Sequence, residues 1–191
     1  MTAQISDQFI YNNQFYSLTG FTEEICFHPG DYEIFTKSAS TACWRGFYRT
    51  FSIENNELVA KNLNVNDSNI NENPLGPIIN GVKPKRNKGR FNKTYENINL
   101  KIDFTGSILI GKDFIRDLYV HMGFHPAWKY ETVFEFTFEN GNLKKQENLS
   151  DKMSEIRQEW SKLKNKKGEE TISFDLDEWI KKTFDQKYNK K

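Results

Sequence analysis

Short runs of alternating apolar and polar residues, broken by asparagine- and glycine-bearing turns, fill about the first 150 positions. Successive side chains of a strand point to opposite faces, so this period of two predicts half-buried β-strands. Gln8 to Tyr11 and Gln14 to Leu18 flank Asn12-Asn13, and asparagine tolerates the positive φ of a tight hairpin turn. Cys43 to Ile53 predicts a long strand with Trp44, Phe47, Tyr48, Phe51 and Ile53 as its apolar positions. Gly46 within it marks a bulge or a close backbone approach. Glu54-Asn55-Asn56-Glu57 is a second turn, from which Leu58 to Val65 returns. Ile98 to Phe104 alternates, Ser107 to Ile110 continues after Gly106, and Asp117 to Met122 is expected to be a further strand. Thr132 to Phe138 and Leu143 to Glu147 surround Asn140-Gly141, a strong short-range hairpin signal.

The period changes in the last forty or so residues. Ser150 can cap a helix whose stripe is Met153, Ile156, Trp160 and Leu163. After a charged linker, Asp175 and Glu178 form a capping box for a second helix with Leu176, Trp179, Ile180 and Phe184 on its apolar face. The expected fold is α+β: a mainly antiparallel, curled or barrel-like β-sheet with two C-terminal helices. Residues 1–149 are expected to form the β domain, and 150–191 a helical extension packed on it. Residues 66–93 interrupt the pattern. They hold seven asparagines, three prolines and three glycines, and loops this long are uncommon unless functional or disordered. Ile78-Ile79 is the one pair expected to dock on the body.

Composition narrows the function classes. The chain has 191 residues with 27 basic and 26 acidic side chains, a formal net charge of +1. That balance argues against a broad nucleic-acid footprint. Aromatics make up 15% of the chain, which predicts a folded protein. No apolar run is long enough to span a membrane, no secretory signal is visible, and two cysteines do not make a disulfide scaffold. The expectation is a cytoplasmic protein without a membrane partner.

The residues that could carry chemistry are few. Cys26, His28, His121 and His125 could supply four zinc ligands. The spacing is a poor match to known zinc modules, so no metal is expected. Cys43 with His121 as base is the candidate catalytic pair, with Arg45 close enough in sequence to lower the thiol pKa. Trp44, Arg45 and Arg49 combine aromatics with guanidinium forks, which suits partner or ligand recognition. Lys83, Lys85, Arg86, Lys88, Arg90 and Lys93 place six cations in eleven positions, leaving −5 for the rest of the chain (+1 minus 6). They read as a solvated loop, with nucleic-acid contact as the lesser option. Glu131 and Glu135 share a strand face, which reads as an exposed polar surface. No Gly-rich phosphate loop, nucleophile elbow or paired CxxC is present, so no cofactor is expected.

Two stretches carry a resemblance. Ser40 to Phe47 contains Cys-Trp-Arg-Gly-Phe, and Asp117 to Phe124 contains Tyr-Val-His-Met-Gly-Phe. Together they resemble a family of small bacterial proteins of no assigned activity, in which each motif strand leads into a hairpin. The resemblance covers about residues 8–150, and the chain departs from it at His125-Pro126-Ala127-Trp128. It implies a bacterial source and nominates Cys43, Trp44, Arg45, Gly46, Tyr119, His121 and Gly123 without assigning a reaction. Arg49, His125 and Trp128 complete the candidate partner-binding set. The leading expectation is a non-catalytic protein-binding module, immunity- or antitoxin-like. The alternative is an enzyme or small-ligand binder around Cys43, Arg45 and His121.

Overall fold

A computed structural model of the chain describes residues 2–69, 75–166 and 186–188. Ten strands lie in these residues: β1 (Gln8–Tyr11), β2 (Gln14–Phe21), β3 (Phe47–Glu54), β4 (Glu57–Val65), β5 (Lys85–Arg86), β6 (Lys93–Tyr95), β7 (Leu100–Lys101), β8 (Gly106–Phe114), β9 (Tyr130–Glu139) and β10 (Asn142–Asn148). One α-helix follows, α1 (Ser150–Lys166). The second expected helix lies outside the described residues. The described side chains of α1 end at Gln158, so Trp160 and Leu163 are outside them too.

Three hairpins appear where the turn chemistry places them. Asn12 and Asn13, Asn55 and Asn56, and Asn140 and Gly141 all have positive φ, between 48° and 76°. That is the type I′ geometry whose twist matches the flanking strands. The strands run in the order β10-β9-β8-β2-β1-β3-β4, and a single pairing of Asn142 with Glu57 brings β10 back to β4. The sheet is therefore ring-like. It is mixed, because β1 pairs parallel to β3 through Gln8–Ile10 and Thr50–Ser52. The outer edge of β4 also pairs with β7 and then β6, and β6 carries β5.

Phenylalanines fill the interior. Phe9, Phe51, Phe136 and Phe138 are at most 1% exposed, beside Leu18, Leu58, Leu63, Ile108 and Ile110. Phe9 stacks on Phe136 with ring centroids 5.5 Å apart. Burying each such side chain stabilises by about 1.5–3 kcal/mol, before the entropy it loses.

Several sequence expectations need correction. The face of β9 bearing Glu131 and Glu135 is exposed at Glu131, as expected, but not beyond it. Val133 is fully buried with Leu109, Ala127, Tyr130 and Met153 in a second, smaller core under α1. Glu135 is buried as well and accepts from the Tyr188 hydroxyl at 2.6 Å. Burial, and then the Glu135 carboxylate, push that phenol's pKa up. The segment 186–188 is held beside β2: Phe21 donates to Gln186 and Tyr188 donates to Phe21.

Ile98 to Phe104 contributes only β7 to a ladder, although Ile98, Ile102 and Phe104 are buried as the alternation requires. Asp117 to Met122 is not a strand. Both edges of β8 are already paired, with β2 and β9. The connection between β8 and β9 therefore leaves the sheet, making short 3-10 turns at Arg116–Leu118 and Ala127–Lys129. The long strand begins at Phe47 and not at Cys43, because Gly46 turns the chain at φ +77°. A Cβ there would sit 2.1 Å from the Lys37 carbonyl oxygen, so the backbones approach more closely than any side chain permits. Of the loop pair, Ile79 is buried and Ile78 is 57% exposed. Among the described residues, no helix is long and apolar enough to cross a membrane.

Candidate functional site

The two motif stretches do meet, and residues 2–7 join them. Gln4 donates its amide to the Gly123 carbonyl at 2.7 Å, and its side chain bonds the Trp44 amide and the Thr41 carbonyl at 3.0 Å each. Ile5 donates to the Ala42 carbonyl, and Ala3 donates to the Tyr119 hydroxyl at 3.4 Å. The N-terminal segment is thus a strap with the Cys43–Gly46 turn on one side and Tyr119–Phe124 on the other.

Asp7 anchors the strap and is fully buried. Its Oδ1 accepts from Arg45 Nη2 and from the Arg49 amide, both at 2.7 Å. Its Oδ2 accepts from Arg49 Nη2 at 2.6 Å and Nε at 2.9 Å. Arg49 Nη1 also reaches the carbonyls of Ile25 and Phe27. Burial alone would raise the Asp7 pKa, but the two guanidiniums and their hydrogen bonds prevail and hold it below the ordinary carboxylate value. Arg49, a candidate for partner binding, is therefore a buried structural cation. Arg45 is partly so: its side chain is 24% exposed and lies over the rings of Phe47 and Phe124.

The candidate nucleophile and base are not brought together. Cys43 is buried, and its thiol donates to the Phe47 carbonyl. Burial raises the thiol pKa and outweighs the Arg45 charge, which reverses the expected activation. His121 is exposed, with its ring edge-on to Tyr119 at 4.9 Å. Among the described residues no hydrogen bond joins it to Cys43. The zinc candidates are scattered in role. His28 Nδ1 caps the 3-10 turn Pro29–Tyr32 by accepting from Gly30, while Cys26 is exposed. Among the described residues, no three His, Cys, Asp or Glu side chains gather closely enough to hold a metal ion.

His125 lies 9% exposed against the rings of Phe114 and Tyr119, at 4.6 and 5.1 Å. Neither ring nitrogen has a hydrogen-bond partner among the described residues. Burial, and then the Lys129 charge, push its pKa from 6.5 down to about 4. Lys129 is itself buried with a lowered pKa, and its ammonium sits 5.4 Å over the Trp128 ring. Trp128 is partly buried against the second core.

A measurable pH dependence follows. A histidine held neutral contributes stability that is fully present above its unfolded value of 6.5 and is lost as pH falls through about 4. The loss is at most about 3 kcal/mol. His125→Phe keeps the ring packing and removes the proton site. Its melting temperature is expected to match the parent near pH ~7.5 and exceed it near pH ~5. Parallel melting curves across that interval would show that His125 is not held neutral.

Three large apolar or aromatic side chains remain accessible around the strap, beside the exposed Thr41 and His121. Trp44, Tyr119 and Val120 are 48%, 42% and 37% exposed. The sequence did not single out Gln4 or Asp7, the residues that assemble this surface. The only signal for Asp7 was indirect: a strand bearing two arginines on an aromatic-rich chain demands a carboxylate somewhere. Of the basic loop, Lys83, Lys88 and Arg90 are solvent-exposed as expected, Arg86 is exposed on β5, and Lys85 pairs with Glu96. Lys93 departs from the loop reading. It is fully buried, and its Nζ meets Asp67 Oδ2 at 2.7 Å. Comparison with family models, with curated proteins and with solved structures found no match to this chain.

Proposed function

We propose that this chain is a non-catalytic protein-binding module, immunity- or antitoxin-like, from the bacterial cytoplasm. One observation carries the reading. Trp44 and Tyr119, both more than two-fifths exposed, are hydrogen-bonded to the adjacent residues Gln4 and Ala3. They are thus presented on the two sides of a strap anchored by the Asp7 ion cluster. Tryptophan, tyrosine and arginine dominate the energetics of protein interfaces, and rigid aromatic anchors bind with little entropic cost. Val120 and the Arg45 edge extend the same surface.

An enzyme at Cys43, Arg45 and His121 has less support. A buried, protonated thiol is a weak nucleophile, and among the described residues no hydrogen bond joins it to the exposed His121 imidazole.

Co-purification of the tagged chain with the products of its neighbouring genes tests the proposal. A stoichiometric protein partner is expected. The double change Trp44→Ala with Tyr119→Ala should weaken it by about 30-fold or more, with circular dichroism checking that the variant is folded at the assay temperature. Failure to recover any stoichiometric partner, or a partner indifferent to both changes, would overturn it.

A further inference from the structure

The basic segment is held more firmly than a solvated loop requires. Arg86 ends β5 and Lys93 begins β6, so residues 87–92 form the tip of a hairpin. The Asn87 amide donates to the Asn92 carbonyl at 2.9 Å, and the Asn87 side chain donates to Thr94 Oγ1 at 2.6 Å. The Phe91 ring meets Tyr48 of β3 edge-on, with centroids 5.1 Å apart. Asp67 holds Lys93 in the sheet, and Glu96 pairs with Lys85. This frame leaves Lys83, Arg86, Lys88 and Arg90 exposed. Among the described residues, none of the four has a carboxylate within ion-pair distance. No acidic residue occurs between Val82 and Glu96. Like charges repel, and a hairpin fixed by its own side-chain bonds cannot spread them, so an anionic partner relieves the repulsion.

Strand register sets where the hairpin stands. Phe47, Val65, Lys93 and Arg86 are successive neighbours across β3, β4, β6 and β5. Three strand spacings, about 14 Å, separate the start of β3 from Arg86, and the Phe91–Tyr48 contact bridges that span. Trp44 lies in the turn that leads into β3. The free cations and the strap surface therefore stand at the same end of the sheet.

Building on the protein-binding reading, we propose that the partner is an acidic protein, whose carboxylates meet Arg86, Lys88 and Arg90 while Trp44 and Tyr119 enter its apolar part. Guanidinium forks take carboxylates bidentately, and complementary charge beside an apolar patch speeds association and selects the partner. Nucleic acid fits less well. Its binding sites spread a basic footprint over a structured face, whereas the cations here are confined to one hairpin on a chain that carries −5 elsewhere (+1 minus 6).

Fluorescence anisotropy on the full chain tests this with two labelled probes at about 50 mM salt, an oligoglutamate and an oligothymidylate of about twelve units each. Oligoglutamate is expected to bind and to lose about tenfold in affinity by about 200 mM salt. The triple variant Arg86→Gln, Lys88→Gln, Arg90→Gln should lose about as much at the lower salt. An equal charge change elsewhere on the surface, Lys144→Gln, Lys145→Gln, Lys152→Gln, should stay within about twofold of the parent. With the co-purified partner, the hairpin variant should slow association about tenfold, while Trp44→Ala mainly speeds dissociation. No oligoglutamate binding, tighter binding of oligothymidylate, equal losses in both triple variants, or an acid-poor partner that joins the hairpin variant at the parent rate would overturn the proposal. Oligoglutamate binding with no co-purified partner would instead count against the protein-binding reading and leave the hairpin's preference for carboxylates standing, so the two failures are distinguishable.

Discussion

Asp7→Asn is expected to destabilise the protein by about 3–5 kcal/mol, a large share of the stability of a typical domain. The asparagine keeps the shape and can still accept from the Arg49 amide, but it leaves two guanidiniums facing a neutral group. Arg49 has almost no recourse to water, with its side chain 9% exposed. Arg45, at 24%, can partly rehydrate. The order of cost is therefore Asp7→Asn first, Arg49→Met next and Arg45→Met least. Urea unfolding with an unchanged m-value measures it, and a loss below about 1 kcal/mol for Asp7→Asn would show that the cluster is not holding the strap. Acid gives a second readout. The Asp7 pKa is lowered in the fold, so its contribution is complete above the unfolded value of 3.8 and disappears as pH falls through the lower folded one. The His125 window lies higher, between 6.5 and about 4. The two acid transitions are thus separable, the first abolished by His125→Phe and the second not.

Local chemistry was legible in the sequence wherever local chemistry decides the structure. Asn12-Asn13, Asn55-Asn56 and Asn140-Gly141 specify their turns without reference to the rest of the chain, and all three hairpins form. Gly46 was readable for the same reason. What was not legible depends on pairing across long separations. Tyr119 to Met122 has the residues of a strand, but β8 offers it no free edge. Glu131 and Glu135 have the parity of a solvent face, and Glu131 is exposed, but α1 and Tyr188 cover Val133 and Glu135. The site shows the same division. The two motifs could be seen as a pair, and nothing within either shows that Ala3, Gln4 and Asp7 would hold them together. The strap also changes how the motif residues are read. Arg49 and Cys43 are support, and Trp44 and Tyr119 are what the support presents.

Lys93→Met is expected to cost about 3–5 kcal/mol as well, for a reason that separates one cation from its neighbours in the basic segment. The methionine fills the space of the lysine stem and leaves the Asp67 carboxylate, 4% exposed, without the ammonium that meets it at 2.7 Å. Asp67 cannot swing out to water. Its amide and carbonyl are both bonded to Asn92, and its Oδ1 accepts from the Asn69 amide. Tyr95, on the same strand as Lys93, is fully buried, and its hydroxyl is tied to the Pro77 carbonyl. Burial and the Asp67 charge raise that phenol's pKa, so it stays a neutral donor. The asparagine-rich stretch is therefore pinned to β6 at Asp67 and at Pro77. Removing both charges together, Lys93→Met with Asp67→Leu, should recover most of the loss, because the penalty comes from the stranded charge and not from lost packing. The exposed cations behave oppositely. Gln at Lys83, Lys88 and Arg90 should shift the urea midpoint by an amount equivalent to less than about 0.5 kcal/mol. If Lys93→Met were equally silent, Lys93 would belong with the solvated loop after all, and the ion pair with Asp67 would contribute nothing to holding residues 75–93 on the sheet.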